Sequence, residues 1–287
     1  MFGRSSRVRG LLPHRAQRES MSDGAPASDR GPISVGIVAP DADATGIAEA
    51  VAGAGGVVAG PEETVATNAD AVVAVGDDGL DECVAAGVDG PVLPIDVDGV
   101  ASLPREDEGI ERFLAGEYPV REQPVMAVES PAVDGRAFRD VALVTATPAT
   151  ISEFAIAAGV DPLNRDEPVA GAVESDILGT RATPLARFRA DGAVMATPIG
   201  SRGYARAAGG PVVVAGSDAA TVVPIAPFVT DPDHWVVPLS GVALTVERDD
   251  ADVELFVDGR SLGSVAPGTT VEIIRDGTLR LASPSRT

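Results

Sequence analysis

The chain has 287 residues, enough for two domains of ordinary size, and no apolar run approaches the length of a bilayer span. Its 22 basic residues are all arginine, 43 acidic residues leave a formal charge of −21, and only 3 % of residues are aromatic. With no basic patch carrying interleaved aromatics, nucleic-acid binding is excluded; the acidity fits a solvated surface in a molar-salt cytoplasm, where charges are screened within about 3 Å. A single cysteine, Cys83, rules out an internal disulfide or thiolate cluster and reads as a small buried apolar residue. The two histidines, His14 and His234, are too few and too distant for a His-based metal site. A Ser-His-Asp arrangement could use only His234, which beside Trp235 reads more simply as a rim residue.

Residues 1–31 hold six arginines among Gly, Ser, Pro and Asp without an apolar period, and read as a disordered leader. Met21 is an alternative start. Residues 32–122 then alternate strand and helix signals. Ile33 to Val38 reads as a strand, Thr45 to Ala54 as a helix, and Ala71 to Val75 as a buried strand. The turn Gly76-Asp77-Asp78-Gly79 precedes a helix over Leu80 to Ala86, a strand over Pro91 to Ile95, a helix over Glu106 to Ala115 and a crossover at Gly116 to Glu122. This pattern predicts an open α/β domain with parallel strands and ligands at their carboxyl ends.

Residues 123–287 become a series of short strand signals with turns between them. The predicted strands are Val141 to Val144, Ala193 to Ala196, Pro211 to Ala215, Val242 to Val246, Val253 to Val257 and Thr270 to Ile274. Asp249-Asp250 and Asp258-Gly259 read as hairpin turns. Between two of these strands, Pro198 pushes Thr197 out of the helical region, Gly200 permits a tight turn, and Ser201 can cap a helix from Arg202 to Ala208. The expected architecture is an α/β nucleotide-binding domain followed by a β-rich, sandwich-like domain.

Two segments have chemical potential. In the acidic turn, glycines let a ligand approach the backbone, and the carboxylates can bind Mg²⁺, accept a proton, or merely cap the next helix. In the Thr197 to Gly210 segment, free N–H groups at a helix start would favour an anion or a nucleotide hydroxyl.

Together the two segments resemble the NAD kinase family. That family carries a Gly-Gly-Asp-Gly turn ending a strand of an α/β domain, and later a Thr-Pro-Thr-Gly-Ser-Thr-Ala-Tyr-Ser-Leu-Ser-Ala-Gly-Gly-Pro segment in a β-rich domain. This chain has VVAVGDDGL at 72–80 and TPIGSRGYARAAGGP at 197–211, with PIAPF at 224–228 and VDGR at 257–260 similar to further family motifs. The resemblance implies transfer of a phosphoryl group from ATP or polyphosphate to the 2′-hydroxyl of the adenosine ribose of NAD, with Mg²⁺ neutralising the phosphates. It implies Asp78 as the general base, with Gly76, Asp77 and Gly79 against the substrate; the Asp77 carboxylate, which stands where the family has glycine, is the candidate metal ligand. It also implies dinucleotide contacts from Arg189, Asp191, Thr197, Gly200, Ser201, Arg202, Gly203, Tyr204 and Ala207, and a cytoplasmic homodimer or homotetramer.

The departures matter too. Asp77 replaces the second glycine, Leu80 the following threonine, and Arg202 the threonine of the ligand helix. The family's Ala-Leu-Asn-Glu grip on the nucleotide finds its match in Ala142-Leu143-Val144-Thr145, which lacks both polar groups. Asp96 to Leu103 likewise departs from the family's Asn-x-Gly-x-x-Gly-Phe-Leu pattern. These losses favour an alternative, a catalytically impaired homologue that binds dinucleotides or regulates. The surviving register of Asp78, Gly79, Asp191 and Tyr204 favours the enzyme.

Overall fold

The structure is a computed structural model and describes residues 31–40, 42–59, 69–103, 109–147, 150–159, 173–174, 181–248 and 252–283. The predicted leader, the alternative start, His14, the beginning of the helix at Glu106 and the Asp249-Asp250 turn lie outside these residues. Residues 32–287 form one compact unit.

Two sheets carry the unit. The larger has eleven strands. It begins with the parallel set Val57–Val58, Ser34–Val38, Ala71–Val75 and Val92–Ile95. Parallel strands are covered on both faces, which is why Ala71–Val75 and Val92–Ile95 are apolar and buried throughout. Thr270–Ala282 then pairs in parallel with Val92–Ile95 at Leu281, and from there the sheet continues antiparallel through Val242–Arg248, Ser152–Gly159, Arg181–Ala190 and Val173–Glu174. Val120–Glu129 pairs along Thr270–Ala282 and with Asp134–Ala137. The last long strand therefore joins the two halves of the chain in a single sheet, and position 122/123 falls within Val120–Glu129.

The second sheet is antiparallel, in the order Trp235–Pro238, Ala219–Ile225, Gly192–Ala196, Asp140–Thr145, Val253–Val257 and Arg260–Val265. Alternating residues of the two sheets meet in a core that includes Met126, Leu143, Phe154, Ile156, Met195, Leu244, Leu255 and Ile273. Phe188 of the larger sheet stacks on Trp235 of the second with centroids 5.7 Å apart. Among the described residues no helix is long and apolar enough to cross a membrane.

Several expected elements shift. The acidic turn is itself the first turn of the helix Gly76–Ala86, because Gly76, at φ +71°, makes the whole bend out of the strand. No side chain caps this helix; Asp77 and Asp78 favour its positive N-terminal end by charge alone. The helix expected from Arg202 to Ala208 splits into a 3₁₀ turn, Gly200–Arg202, and a four-residue α-turn, Tyr204–Ala207. Pro211 to Ala215 is not a strand: the Val213 N–H donates to Ser201 Oγ at 2.9 Å instead of entering a ladder. Thr270–Ala282 runs eight residues beyond the expected end at Ile274. Strands Val242–Arg248 and Val253–Val257, which flank Asp249-Asp250, belong to different sheets, so no hairpin joins them. Asp258-Gly259 does turn a hairpin, both residues having positive φ (49° and 82°), as a two-residue turn matching strand twist requires.

Candidate active site

The strand Ala71–Val75 delivers the acidic turn at its carboxyl end, where an open α/β sheet presents its ligands. Gly79 packs directly on the neighbouring strand; a Cβ there would stand 2.6 Å from the Val38 carbonyl oxygen. That close approach turns Asp78 out to solvent while Asp77 lies half-buried and Asp81 is only 8 % exposed. Arg139 faces the turn. Its guanidinium forms an ion pair with Asp77 through Nη2 and with Asp81 through Nη1, the latter at 3.2 Å. The Asp98 N–H also donates to Asp77 Oδ1 at 3.3 Å.

Arg139 is held in turn by its main chain. The Asp258 carboxylate accepts the N–H groups of Phe138, Arg139 and Asp140 at 2.7, 2.6 and 2.9 Å. The Arg139 carbonyl accepts the Thr197 N–H at 2.9 Å and the Thr197 hydroxyl at 3.1 Å. One residue therefore fixes the acidic helix, the Asp258 hairpin and the Thr197 segment to one another.

Burial shapes the charges here. It pushes the Asp81 carboxyl up to about 7 against the pull of Arg139, whose guanidinium is shared with Asp77. Asp140 rises to about 6, chiefly by burial and secondarily by the neighbouring Asp258. Burial also raises Asp258, opposed by its three N–H donors. Cys83, pushed up to about 12 by burial, is an inert packing group, as its isolation in the sequence suggests.

The Thr197 segment turns its hydroxyls inward. Thr197 Oγ1 donates to the Phe138 carbonyl at 2.8 Å and accepts the Gly200 N–H at 3.3 Å. Ser201 Oγ donates to the Pro198 carbonyl at 2.8 Å and accepts from Val213, so Ser201 caps no helix. Both residues are at most 1 % exposed. Gly200 is required by contact, since a Cβ would stand 1.9 Å from the Arg139 carbonyl oxygen. The side chains of Thr197 and Ser201 are thus spent on main-chain groups of the fold, and Gly200 packs beneath Arg139. Arg202, Gly203, Tyr204 and Ala207 face outward.

The residues that sequence reasoning expected to contact the dinucleotide fall into two groups. Gly76 to Gly79 and Thr197 to Arg202 converge through Arg139. Arg189 and Asp191 do not join them: Asp191 and Thr197 bracket the strand Gly192–Ala196 and lie at its opposite ends, roughly 20 Å apart at about 3.3 Å per residue. Asp191 instead meets the Thr145 N–H, and the Arg189 carbonyl meets the Phe228 N–H at 2.9 Å.

The ATP-NAD kinase C-terminal domain family matches residues 167–278. The NAD kinase of Thermomicrobium roseum is 32 % identical over 217 residues, covering 72 % of this chain and 67 % of that protein. The NAD kinase of Symbiobacterium thermophilum is 31 % identical over 230 residues, covering 76 % and 74 %. The chain belongs to the NAD kinase family. Solved NAD kinase relatives share its fold. Yeast NADH kinase complexed with NADH has a TM-score of 0.70 at 15 % identity, over 90 % of this chain and 85 % of that one. An NAD kinase from Archaeoglobus fulgidus in complex with ATP has a TM-score of 0.62 at 24 % identity, over 87 % and 92 %.

For an NAD kinase family member, the geometry relocates one motif. Ala142 to Thr145 runs along a buried strand away from the acidic turn, with the Thr145 hydroxyl bonded to the Thr150 carbonyl at 3.2 Å. Ala137-Phe138-Arg139-Asp140 stands beside the turn instead. Arg139 and Asp140 were passed over in the sequence, although this run also fits the Ala-Leu-Asn-Glu order and keeps its acid. Asp77, neutralised by Arg139, does not fit the role of Mg²⁺ ligand expected for it, and among the described residues no group of three or more His, Cys, Asp or Glu could hold a metal ion.

Proposed function

We propose that this NAD kinase family member, a phosphotransferase, makes NADP by phosphorylating NAD on the 2′-hydroxyl of its adenosine ribose. The observation that carries the assignment of roles is Asp78, an exposed carboxylate on the first turn of Gly76–Ala86, beside two anchored but differently directed loops. Asp78 accepts the hydroxyl proton as the ribose oxygen attacks the terminal phosphorus of ATP. The new P–O bond forms as the bond to the leaving phosphate breaks, releasing ADP. Such a reaction needs positioning and charge stabilisation more than covalent help, which suits a chain without lysine. Gly76, with open space where a side chain would stand, gives the dinucleotide close access to the backbone, and the exposed Gly203, Tyr204 and Ala207 offer it a surface. Asp140 supplies the acid that Thr145 cannot. Mg²⁺ enters only as the counter-ion carried by the donor phosphates, with no protein ligand assigned. Inorganic polyphosphate is the competing donor.

In this reading residues 32–122 provide the catalytic turn and 123–287 the supporting and dinucleotide-facing surface. The protein works in a salty cytoplasm as a homodimer or homotetramer. Support for self-association comes from the exposed Val212, Val214, Phe228, Val229 and Val236, four of which are more than 55 % exposed, and from the edge position of Trp235–Pro238. Self-association would also give Arg189 and Asp191 a route to a neighbouring copy's Asp78. The test is NADP formation from NAD in molar KCl with Mg²⁺ and either ATP or polyphosphate. Production above an Asp78→Asn control is expected; its absence with both donors overturns the assignment and leaves the impaired, dinucleotide-binding homologue.

A further inference from the structure

Asp77 and Asp81 stand one helical turn apart on Gly76–Ala86 and so share a face, while Asp78 and Glu82 share the next one. Like charges at this spacing repel each other. One guanidinium, that of Arg139, bridges the pair, with Nη2 on Asp77 and Nη1 on Asp81 at 3.2 Å. Its side chain is only 18 % exposed, and its main chain is fastened by Asp258 and Thr197. Arg139 is therefore fixed against the helix and not free to follow a ligand.

The bridge matters to the carboxylate beside it. Asp77 is half-buried and adjoins the exposed Asp78, at the strand end where substrate phosphates must come close. An uncovered Asp77 would repel them, and a partly buried charge is screened less by salt than an exposed one. Covered by Arg139, the Asp77 carboxylate adds no net charge.

How completely it is covered depends on Asp81. Burial pushes the Asp81 carboxyl up to about 7, so at lower pH one guanidinium faces one ionised carboxylate and the group is neutral. Once Asp81 ionises, the same guanidinium serves two carboxylates and an excess negative charge stands beside Asp78. The remaining charges that face Asp81 are Asp258 and Arg260. Asp258 is occupied by three N–H groups, and Arg260 is exposed to solvent. Asp140, next to Asp258, rises only to about 6 and titrates separately.

We propose that Arg139 is a positioning residue that covers the charge of Asp77 so that substrate phosphates can approach Asp78, and that the proton on Asp81 regulates this cover. The proposal rests on the phosphotransferase reading of the acidic turn. It makes phosphate affinity fall as pH rises through neutrality, through a group that touches no substrate.

The test titrates the full chain in molar KCl with Mg²⁺ by calorimetry, with inorganic tripolyphosphate as the phosphate probe and thermal midpoints measured alongside. Arg139→Gln at pH 6 is expected to weaken tripolyphosphate at least fivefold, and adding Asp77→Asn to restore it to within twofold of the parent. A double variant as weak as Arg139→Gln shows that Arg139 only fastens the fold, and overturns the proposal; so does a parent that does not bind the probe. Asp81→Asn supplies a second comparison with Arg139 intact. Between pH 6 and 8.5 the parent is expected to lose at least threefold more affinity than Asp81→Asn, and parallel profiles overturn the proposal. If Arg139→Gln does not fold, this comparison decides alone. Because binding is read without turnover, the expected pattern in a protein that forms no NADP would sink the proposed reaction and leave the role of Arg139 standing. NADP formation without rescue and with parallel pH profiles would do the reverse.

Discussion

Two bends, one after Ala71–Val75 and one after Gly192–Ala196, leave equally buried strands, yet they direct their side chains in opposite senses. At the first, Gly76 bends the chain at positive φ, Gly79 presses the backbone into the fold, and Asp78 is left in solvent. At the second, Thr197 and Ser201 point inward and bond main-chain groups, and Gly200 fits under Arg139. The first bend presents chemistry, and the second presents shape. A run of polar residues in a motif thus divides into those that meet ligand and those that hold the loop in place, and burial separates them.

The comparison breaks first, and most severely, at Asp78. Asp78→Asn is expected to lower kcat by roughly 10²- to 10⁴-fold, the usual range for a positioned base, with the thermal midpoint unchanged because the side chain is exposed. A large loss of stability in that variant would show that the first bend is structural as well. Gly200→Ala should do the opposite, removing about 3 kcal/mol or more of stability through its contact with the Arg139 carbonyl oxygen, as overpacked sites do. Denaturant unfolding measures it, and a stable, inactive Gly200→Ala protein would contradict the division.

Asp81 sharpens the comparison through pH. Folded Asp81 keeps its proton to about pH 7, whereas in the unfolded chain the carboxyl releases it near 3.8, so between these values the native state binds more protons than the unfolded state. Stability therefore falls as pH rises through that window and levels off above it, by an amount on the order of 4 kcal/mol. Asp81→Asn should flatten this slope in unfolding curves taken from pH 4 to 8. A slope unaffected by the substitution would place its origin elsewhere. The smallest effect is expected at the second bend. Ser201→Ala orphans the Val213 N–H and should cost about 1–2 kcal/mol in stability while leaving the KM for NAD within twofold. A KM rise without a stability change would return Ser201 to the ligand.

Much of this was legible in the sequence because it is local. Buried runs such as Ala71–Val75 and Gly192–Ala196 announce themselves, and Asp258-Gly259 has the residue types that a two-residue hairpin demands. The acidic turn was legible as a motif, its glycines and carboxylates standing together. The sense of the second bend was not. A serine in that position can cap a helix or bond back to the chain, and the choice here depends on Val213, twelve residues away, and on the Phe138 carbonyl beneath Thr197. Arg139 escaped notice for the same reason: its partners Asp77 and Asp81 lie about sixty residues earlier in the chain. Asp77 read as a free carboxylate because its cation is supplied from that distance.

The Asp258 carboxylate also sets an order of events. It binds the N–H of Asp140 across 118 residues of sequence. At about 5–20 residues per second of synthesis, the Arg139 segment waits roughly 6 to 24 s for the residue that fastens it. The acidic turn is made early, its Arg139 later, and the fastening of both later still. No nascent chain that ends before Asp258 carries a fastened Arg139, so the support of the acidic turn waits for the last pair of strands of the second sheet.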